Sequence, residues 1–201
     1  MTLRGLLGAQ LERLVSAAST KMREHFKVDL PNRRVHVSDA VVLNAIRTAA
    51  AKAAVDLVEV ARVGGGYACT VKRGDEIVRC VATVTSLVWG TDTIEVTVAT
   101  PEGVELASRP VVNAIVAGVV GLIGGTAAAE FILSTPLPAF ARWDGHTAVL
   151  VLQSPSEGKV HTWLGLDEVT FEVAQDASGL WFKVSDDLTL LRFIQGLLEL
   201  S

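Results

Sequence analysis

The residues able to do covalent or acid–base chemistry are few and scattered. Four histidines, His25, His36, His146 and His161, have no spacing that would close around a metal ion. No Gly-x-Ser-x-Gly, Cys-x-x-Cys or His-Glu-x-x-His occurs. Gly64-Gly65-Gly66 is not followed by Lys-Ser or Lys-Thr, so it reads as a hinge or bulge, not as a phosphate loop. Asp144 and His146 flank Gly145 at a turn, where solvent exposure is the simpler reading. These observations assign no catalytic residue, no metal and no cofactor, and the chain is expected to be non-enzymatic.

Cys69 and Cys80 are the two cysteines. Gly74-Asp75 between two strand-like runs is a two-residue hairpin signal. It sets a register in which paired residue numbers sum to 149, so that Val71 faces Val78 and Cys69 faces Cys80. A bridge would suit a non-hydrogen-bonded pair, where Cα atoms lie about 4.5 Å apart. In a reducing compartment the same residues are two small core thiols, which is the preferred reading. Arg73-Gly74-Asp75 matches the integrin tripeptide and is read here as hairpin turn chemistry.

The chain has 201 residues, half of them hydrophobic, and a formal net charge of −4 without acidic or basic blocks. That length suits one large or two small domains with a sizeable core. The charge pattern gives no footing for nucleic acid. The amino-terminal residues are not expected to form a signal peptide, because charges interrupt the apolar positions. The expected location is the cytoplasm, with association to a membrane surface as an option.

The elements follow from periodicity. Leu3, Leu7, Leu11, Leu14, Ala18, Met22 and Phe26 make one stripe of an amphipathic helix over 2–27. Residues 29–34 read as a loop, and a second helix starts after Ser38. Strands are expected over 56–63, 67–73, 76–89 and 93–99, with Ile94, Val96 and Val98 on the face of Val84 and Val88. Further strands are expected over 139–143, 146–153, 161–173 and 180–184, the last two joined around 176–179. Asp186 or Asp187 then caps a final helix with Leu190, Leu191, Phe193, Ile194, Leu197 and Leu198. The expected fold class is α+β: an antiparallel curved sheet of about eight strands, in two helix-plus-four-strand halves over 38–108 and 109–186. It would wrap on a long apolar helix, with amphipathic helices at both termini. The expected organisation is an N-terminal helix and linker over 1–37 and a single α+β domain over 38–201, closed by the helix 187–201.

The long helix, 110–133, is interrupted only by Asn113, Thr126 and Glu130. A helix apolar on every side must be buried in protein, be sunk in lipid, or line an apolar cavity. As a membrane span it has nearly the required length of about 20 residues, but it lacks basic and aromatic flanks. As a core helix its small stripe, Ala117, Gly121, Gly125 and Ala129, would let a neighbour approach closely. As a cavity wall the same stripe would leave room. Ser134-Thr135-Pro136-Leu137-Pro138, Arg142-Trp143-Asp144-Gly145-His146 and Leu164-Gly165-Leu166…Gly179-Leu180-Trp181-Phe182-Lys183-Val184 follow the helix. This order resembles the tubular lipid-binding superfamily and the bacterial lipid-binding proteins related to it. The resemblance spans roughly 38–184 as a pattern, and a cystatin-like repeat fits almost as well. It implies a curved sheet holding a lipid or another apolar ligand. The wall would be Val111, Ile115, Val119, Leu122, Ile123, Phe131, Phe140, Val149, Leu164, Phe171 and Phe182.

Lys21, Arg23, Lys27, Arg33 and Arg34 cluster after the first helix. They are the candidates for contact with an anionic membrane surface. The Leu-rich terminal helices are candidates for a homo-oligomer interface. Two functions are therefore carried forward: a non-enzymatic carrier of a lipid or apolar small molecule, and a self-associating scaffold with a fully packed core.

Overall fold

A computed structural model describes residues 9, 24–64, 66–90, 93–102, 109–134, 142–143, 146–153 and 168–199. The side chains of 73, 109–110, 124–128, 131, 134, 142–143, 152–153, 168 and 195–199 fall outside that description. Within it the chain is α+β, with ten strands and three helical segments among the described residues. Their order is β1 (Phe26–Asp29), β2 (Arg34–Ser38), α1 (Asp39–Lys52), β3 (Leu57–Val63), β4 (Gly66–Arg73), β5 (Glu76–Gly90) and β6 (Thr93–Ala99). Then come α2 (Arg109–Ser134), β7 (Arg142–Trp143), β8 (Thr147–Gln153), β9 (Glu168–Gln175), β10 (Gly179–Val184) and α3 (Asp187–Glu199). All pairings are antiparallel, in the order β1-β2-β10-β9-β5-β6-β8-β7, with β4 on the first half of β5 and β3 on β4.

The β4–β5 hairpin has the expected register throughout, from Arg73↔Glu76 to Tyr67↔Ala82. Gly74 has φ +62, the sign that a type II′ turn needs at its first central residue. Pairs beside a two-residue turn alternate from hydrogen-bonded to non-hydrogen-bonded. Counted from Arg73↔Glu76, Cys69↔Cys80 is a hydrogen-bonded pair, the less favourable setting for a bridge. Both cysteines are free and buried.

Three expectations are corrected by backbone detail. First, Phe26–Asp29 and Arg34–Ser38 form a hairpin in the sheet where helix end and loop were expected. Asp29 takes the Asn32 backbone N–H and side-chain amide, which closes the turn. The boundary expected at 37/38 therefore falls inside β2. Second, the β5–β6 register shifts between Val84 and Ser86. One extra residue flips the alternation, so Leu87 and Trp89 turn inward in place of Val88. Third, β8 buries Ala148 and Leu150. Val149 therefore lies on the opposite face, away from the wall on which it was placed.

The largest correction concerns the apolar segment α2. In a straight helix at 1.5 Å per residue, Asn113 and Ile132 would stand about 28 Å apart. Instead Asn113 Nδ2 donates to the Ile132 carbonyl oxygen at 3.4 Å. A Cβ on Gly121 would sit 3.0 Å from the Ala129 Cβ, against about 12 Å along a straight helix. The segment thus folds back on itself between Gly121 and Ala129, an interval that contains Gly124-Gly125. Glycine pairs are a recognised cause of sharp helix bends. Neither arm alone reaches the length of a bilayer span. Among the described residues, no helix is long and apolar enough to cross a membrane.

The helices lie against one face of the sheet. The first arm of α2 packs on α1, and Gly118 meets the α1 backbone at Ile46. Asp186 caps α3 by accepting the Thr189 backbone N–H at 2.8 Å. Phe193 of α3 meets Phe171 and Phe182 edge-on, with ring centroids 5.6 and 5.5 Å apart. Leu190, Leu191, Phe193 and Ile194 are all buried within the chain. The described part of that helix's apolar side is therefore turned inward, while Leu197 and Leu198 lie outside the described side chains. The leucine stripe expected over 2–27 lies largely outside the described residues.

Candidate functional site

Of the expected wall, Val111, Ile115, Val119, Leu122 and Ile123 are buried on the first arm of α2. Phe171 and Phe182 are buried on β9 and β10. These seven residues belong to one hydrophobic core. Val149 does not join them. The Phe131 side chain, Phe140 and Leu164 lie outside the described residues. Gly118, which lies beside the expected small stripe and not in it, makes backbone contact: a Cβ there would be 2.9 Å from both Cα and N of Ile46. That is close helix-on-helix packing at the point where the two elements cross.

Of the basic cluster, Lys21 and Arg23 lie outside the described residues. Lys27 is exposed on β1. Arg33 and Arg34 are each held by a carboxylate, Arg33 Nε on Asp187 Oδ1 and Arg34 Nε on Asp29 Oδ2, both at 2.7 Å. They tie the β1–β2 turn to α3 and to β1. Their charges are largely compensated, which weakens the case for a cationic membrane face. The Asn32 side chain, with Arg34, holds the Asp29 carboxyl below the usual carboxylate range.

The described residues concentrate their polar chemistry elsewhere, where β2 meets the β9–β10 turn. His36 is only 3% exposed although it sits on the outer sheet face. Its Nε2 lies 3.1 Å from Ser178 Oγ and 3.4 Å from Asp176 Oδ1. Asp176 Oδ1 accepts the backbone N–H of Ser178 at 2.7 Å and of Gly179 at 3.1 Å, and the Ser178 hydroxyl at 3.0 Å. Its Oδ2 accepts the Trp181 indole N–H at 2.7 Å. Desolvation pushes the Asp176 carboxyl up, but these donors and the nearby His36 outweigh it and hold it well below the usual range. Trp181 is flanked by the tilted His36 ring, 5.0 Å between centroids, and by the Arg34 guanidinium 4.3 Å from its ring centre. Beside this knot, Arg62 donates to Asp39 Oδ2 at 2.7 Å and to the Asp176 backbone oxygen. Tyr67 donates its hydroxyl to Asp39 Oδ1 at 2.9 Å. Burial first, and then this bond, push the Tyr67 hydroxyl far up.

Ser178, His36 and Asp176 have the residue types of a nucleophilic triad without its geometry. In a triad the carboxylate holds one ring nitrogen and the serine faces the other. Here both sit on Nε2, and the serine proton is directed to Asp176. A serine whose proton goes to a carboxylate already holding three other donors is not activated for attack. The arrangement locks a turn and does not catalyse acyl transfer. Periodicity gave no sign of this cluster, because residues 36 and 176 are brought together by the β2–β10 pairing and residue 62 arrives separately on β3.

His146 is exposed, as expected of a turn, and its carbonyl oxygen accepts from the Thr100 backbone and hydroxyl. Asp144 lies outside the described residues. Among the described residues no group of three or more His, Cys, Asp and Glu could hold a metal ion. Burial raises the Cys69 and Cys80 thiols to about 12 and about 11. They are expected to ignore a water-soluble disulfide reagent near pH 8 in the folded protein, and to react at once in denaturant. The unfolded thiols ionise near 9.0 and the folded ones above it. The buried pair therefore favours folding below about pH 9, and that contribution is lost as pH rises. Rapid labelling of the native protein would contradict this. No family model, curated protein or solved structure matches the chain.

Proposed function

We propose that the protein is a non-enzymatic scaffold or interaction protein whose interior is filled by its own side chains. The observation that carries this reading is the contact between Gly118 and the Ile46 backbone. Gly118, beside the expected small stripe, seats α2 on α1, and Gly121 and Ala129 of the stripe itself meet each other where α2 folds back. The absence of an activated nucleophile in the His36 cluster points the same way. Such a protein acts through its surface, alone or with a second copy. Self-association through a terminal helix would then draw on the N-terminal leucine stripe.

A second reading is a carrier of a lipid or other apolar ligand, with the sheet curved around α2 and wall residues lining a cavity. It is favoured by one observation, the convergence of seven of the eleven wall candidates on one core between α2, β9 and β10. Native mass spectrometry of protein purified without detergent, followed by organic extraction, separates the two. A mass equal to the bare chain, or to a whole multiple of it, is the expected result. A lipid retained at fixed stoichiometry would replace the scaffold by the carrier.

A further inference from the structure

Among the described residues β3 pairs with β4 alone, so one of its edges has no strand beside it. The β4–β5 register makes Tyr67, Cys69 and Val71 the residues bonded to β5, and Ala68 and Thr70 then turn their backbone groups to β3. Their partners there are Ala61 and Glu59, and Val63 meets Gly66. Val60 and Arg62 alternate with these residues, so their N–H and C=O groups point away from the sheet. One of the four groups is in use: Arg47 Nη2, from α1, donates to the Val60 carbonyl oxygen at 3.5 Å. The other three have no partner among the described residues. Proteins commonly blunt such an edge with proline, lysine or a bulge. β3 has a bulge between Leu57 and Glu59, but its ladder is regular from Glu59 to Val63, and the strand contains neither proline nor lysine. The Arg62 side chain is tied to Asp39, and Val58 is 58% exposed at the open end.

We propose that this edge is a self-recognition surface, on which β3 of a second copy pairs antiparallel about a twofold axis at Ala61. The proposal deepens the scaffold reading and rests on it. In this register Val60 faces Arg62 of the second copy, and Arg62 faces its Val60. Each pair exchanges two backbone bonds, so all four outward groups of each chain are satisfied, with Arg47 displaced. Neighbouring registers do worse. An axis at Val60 sets Arg62 against the bulged Val58, and an axis at Glu59 sets two like charges face to face. The side chains suit a second copy and not merely any strand. Ala61 meets itself across the axis in a non-hydrogen-bonded pair, where Cα atoms lie about 4.5 Å apart. It is the smallest residue of the strand. Glu59 faces Val63 of the second copy, so no like charges oppose each other.

Sedimentation velocity of the whole chain over a concentration series is expected to show a reversible monomer–dimer equilibrium. Ala61→Lys and Ala61→Glu each place like charges against each other on the axis, and each should raise the dissociation constant severalfold or more. An equimolar mixture of the two should restore the dimer as the mixed species, because only there do opposite charges meet. Circular dichroism melts establish that both variants fold. A wild type that stays monomeric at every concentration overturns the proposal and leaves the scaffold reading to foreign partners. A dimer that both variants keep, or a mixture no tighter than either variant alone, overturns the β3 register while self-association stands. A lipid retained in the native mass would instead remove the scaffold reading itself. Should the variants fail to fold, hydrogen exchange at the wild-type Val60 and Arg62 amides decides. It is expected to slow severalfold as concentration rises, and exchange independent of concentration overturns the proposal equally.

Discussion

Replacing Gly179 by alanine is expected to abolish the cooperative fold. A Cβ at this position would fall on the Val37 carbonyl oxygen, 2.9 Å from its carbon and 3.0 Å from His36 Nε2. The oxygen belongs to a strand backbone held on both sides, because β2 pairs with β1 and with β10. It cannot turn away as a flexible side chain could. The methyl group therefore has to part β10 from β2, and the consequences run outward. The β1–β2 hairpin loses its attachment to the rest of the sheet. The Asp39 backbone N–H, which opens α1, loses the Ser178 carbonyl oxygen at 2.8 Å. The His36–Asp176 contact opens. A loss of about 4 kcal/mol or more is expected, comparable to the severest core substitutions. Gly64→Ala is the matched control, since nothing lies within 4 Å of a Cβ there. Thermal melts by circular dichroism should show a normal transition for Gly64→Ala and none for Gly179→Ala. A wild-type melt for Gly179→Ala would mean that β10 can give way, and that the turn does not fasten β2.

Much of the sheet was legible from the chain because hairpin chemistry is local. Gly74-Asp75 set the β4–β5 register residue by residue, and the strands at 147–153 and 179–184 begin within one residue of where alternation placed them. What was not legible depends on contacts distant in sequence or on a single inserted residue. The bulge between Val84 and Ser86 inverts one strand without leaving a compositional mark. Phe26 fits the helical stripe and equally, with Val28, a strand period, and only pairing with β2 decides between them. The reversal of α2 was hidden for a different reason. Its glycines read equally as a smooth helix face and as a bend, and hydropathy does not distinguish one long helix from two short arms. The His36 cluster could not be read at all, because its members are about 140 residues apart, as are His36 and Asp176.

The sign of a single substitution bears on the whole functional reading. Alanine in place of a glycine inside a helix ordinarily stabilises by about 1 kcal/mol, because it restricts the unfolded chain. Gly118→Ala is expected to do the reverse. Its Cβ would stand 2.9 Å from the Ile46 Cα and N and 3.0 Å from Ile46 Cγ1. The first two are helix backbone, which can yield only if α1 and α2 separate. Overpacking of this kind costs about 1–3 kcal/mol, which exceeds the propensity gain, so a net loss of about 1 kcal/mol is expected from alanine. Gly118→Leu should lose more than about 3 kcal/mol, since a whole side chain must be placed where no methyl fits. Chemical denaturation of the wild type and both variants measures the series. The graded loss belongs to an interior in which α1 and α2 are seated against each other. A carrier with space along α2 predicts the opposite slope: alanine would be neutral or stabilising, and leucine would fill part of the cavity at little cost. A stabilised Gly118→Ala would thus reopen the apolar-ligand reading without any ligand having been identified, and a destabilised one would remove the room that such a ligand needs beside α1.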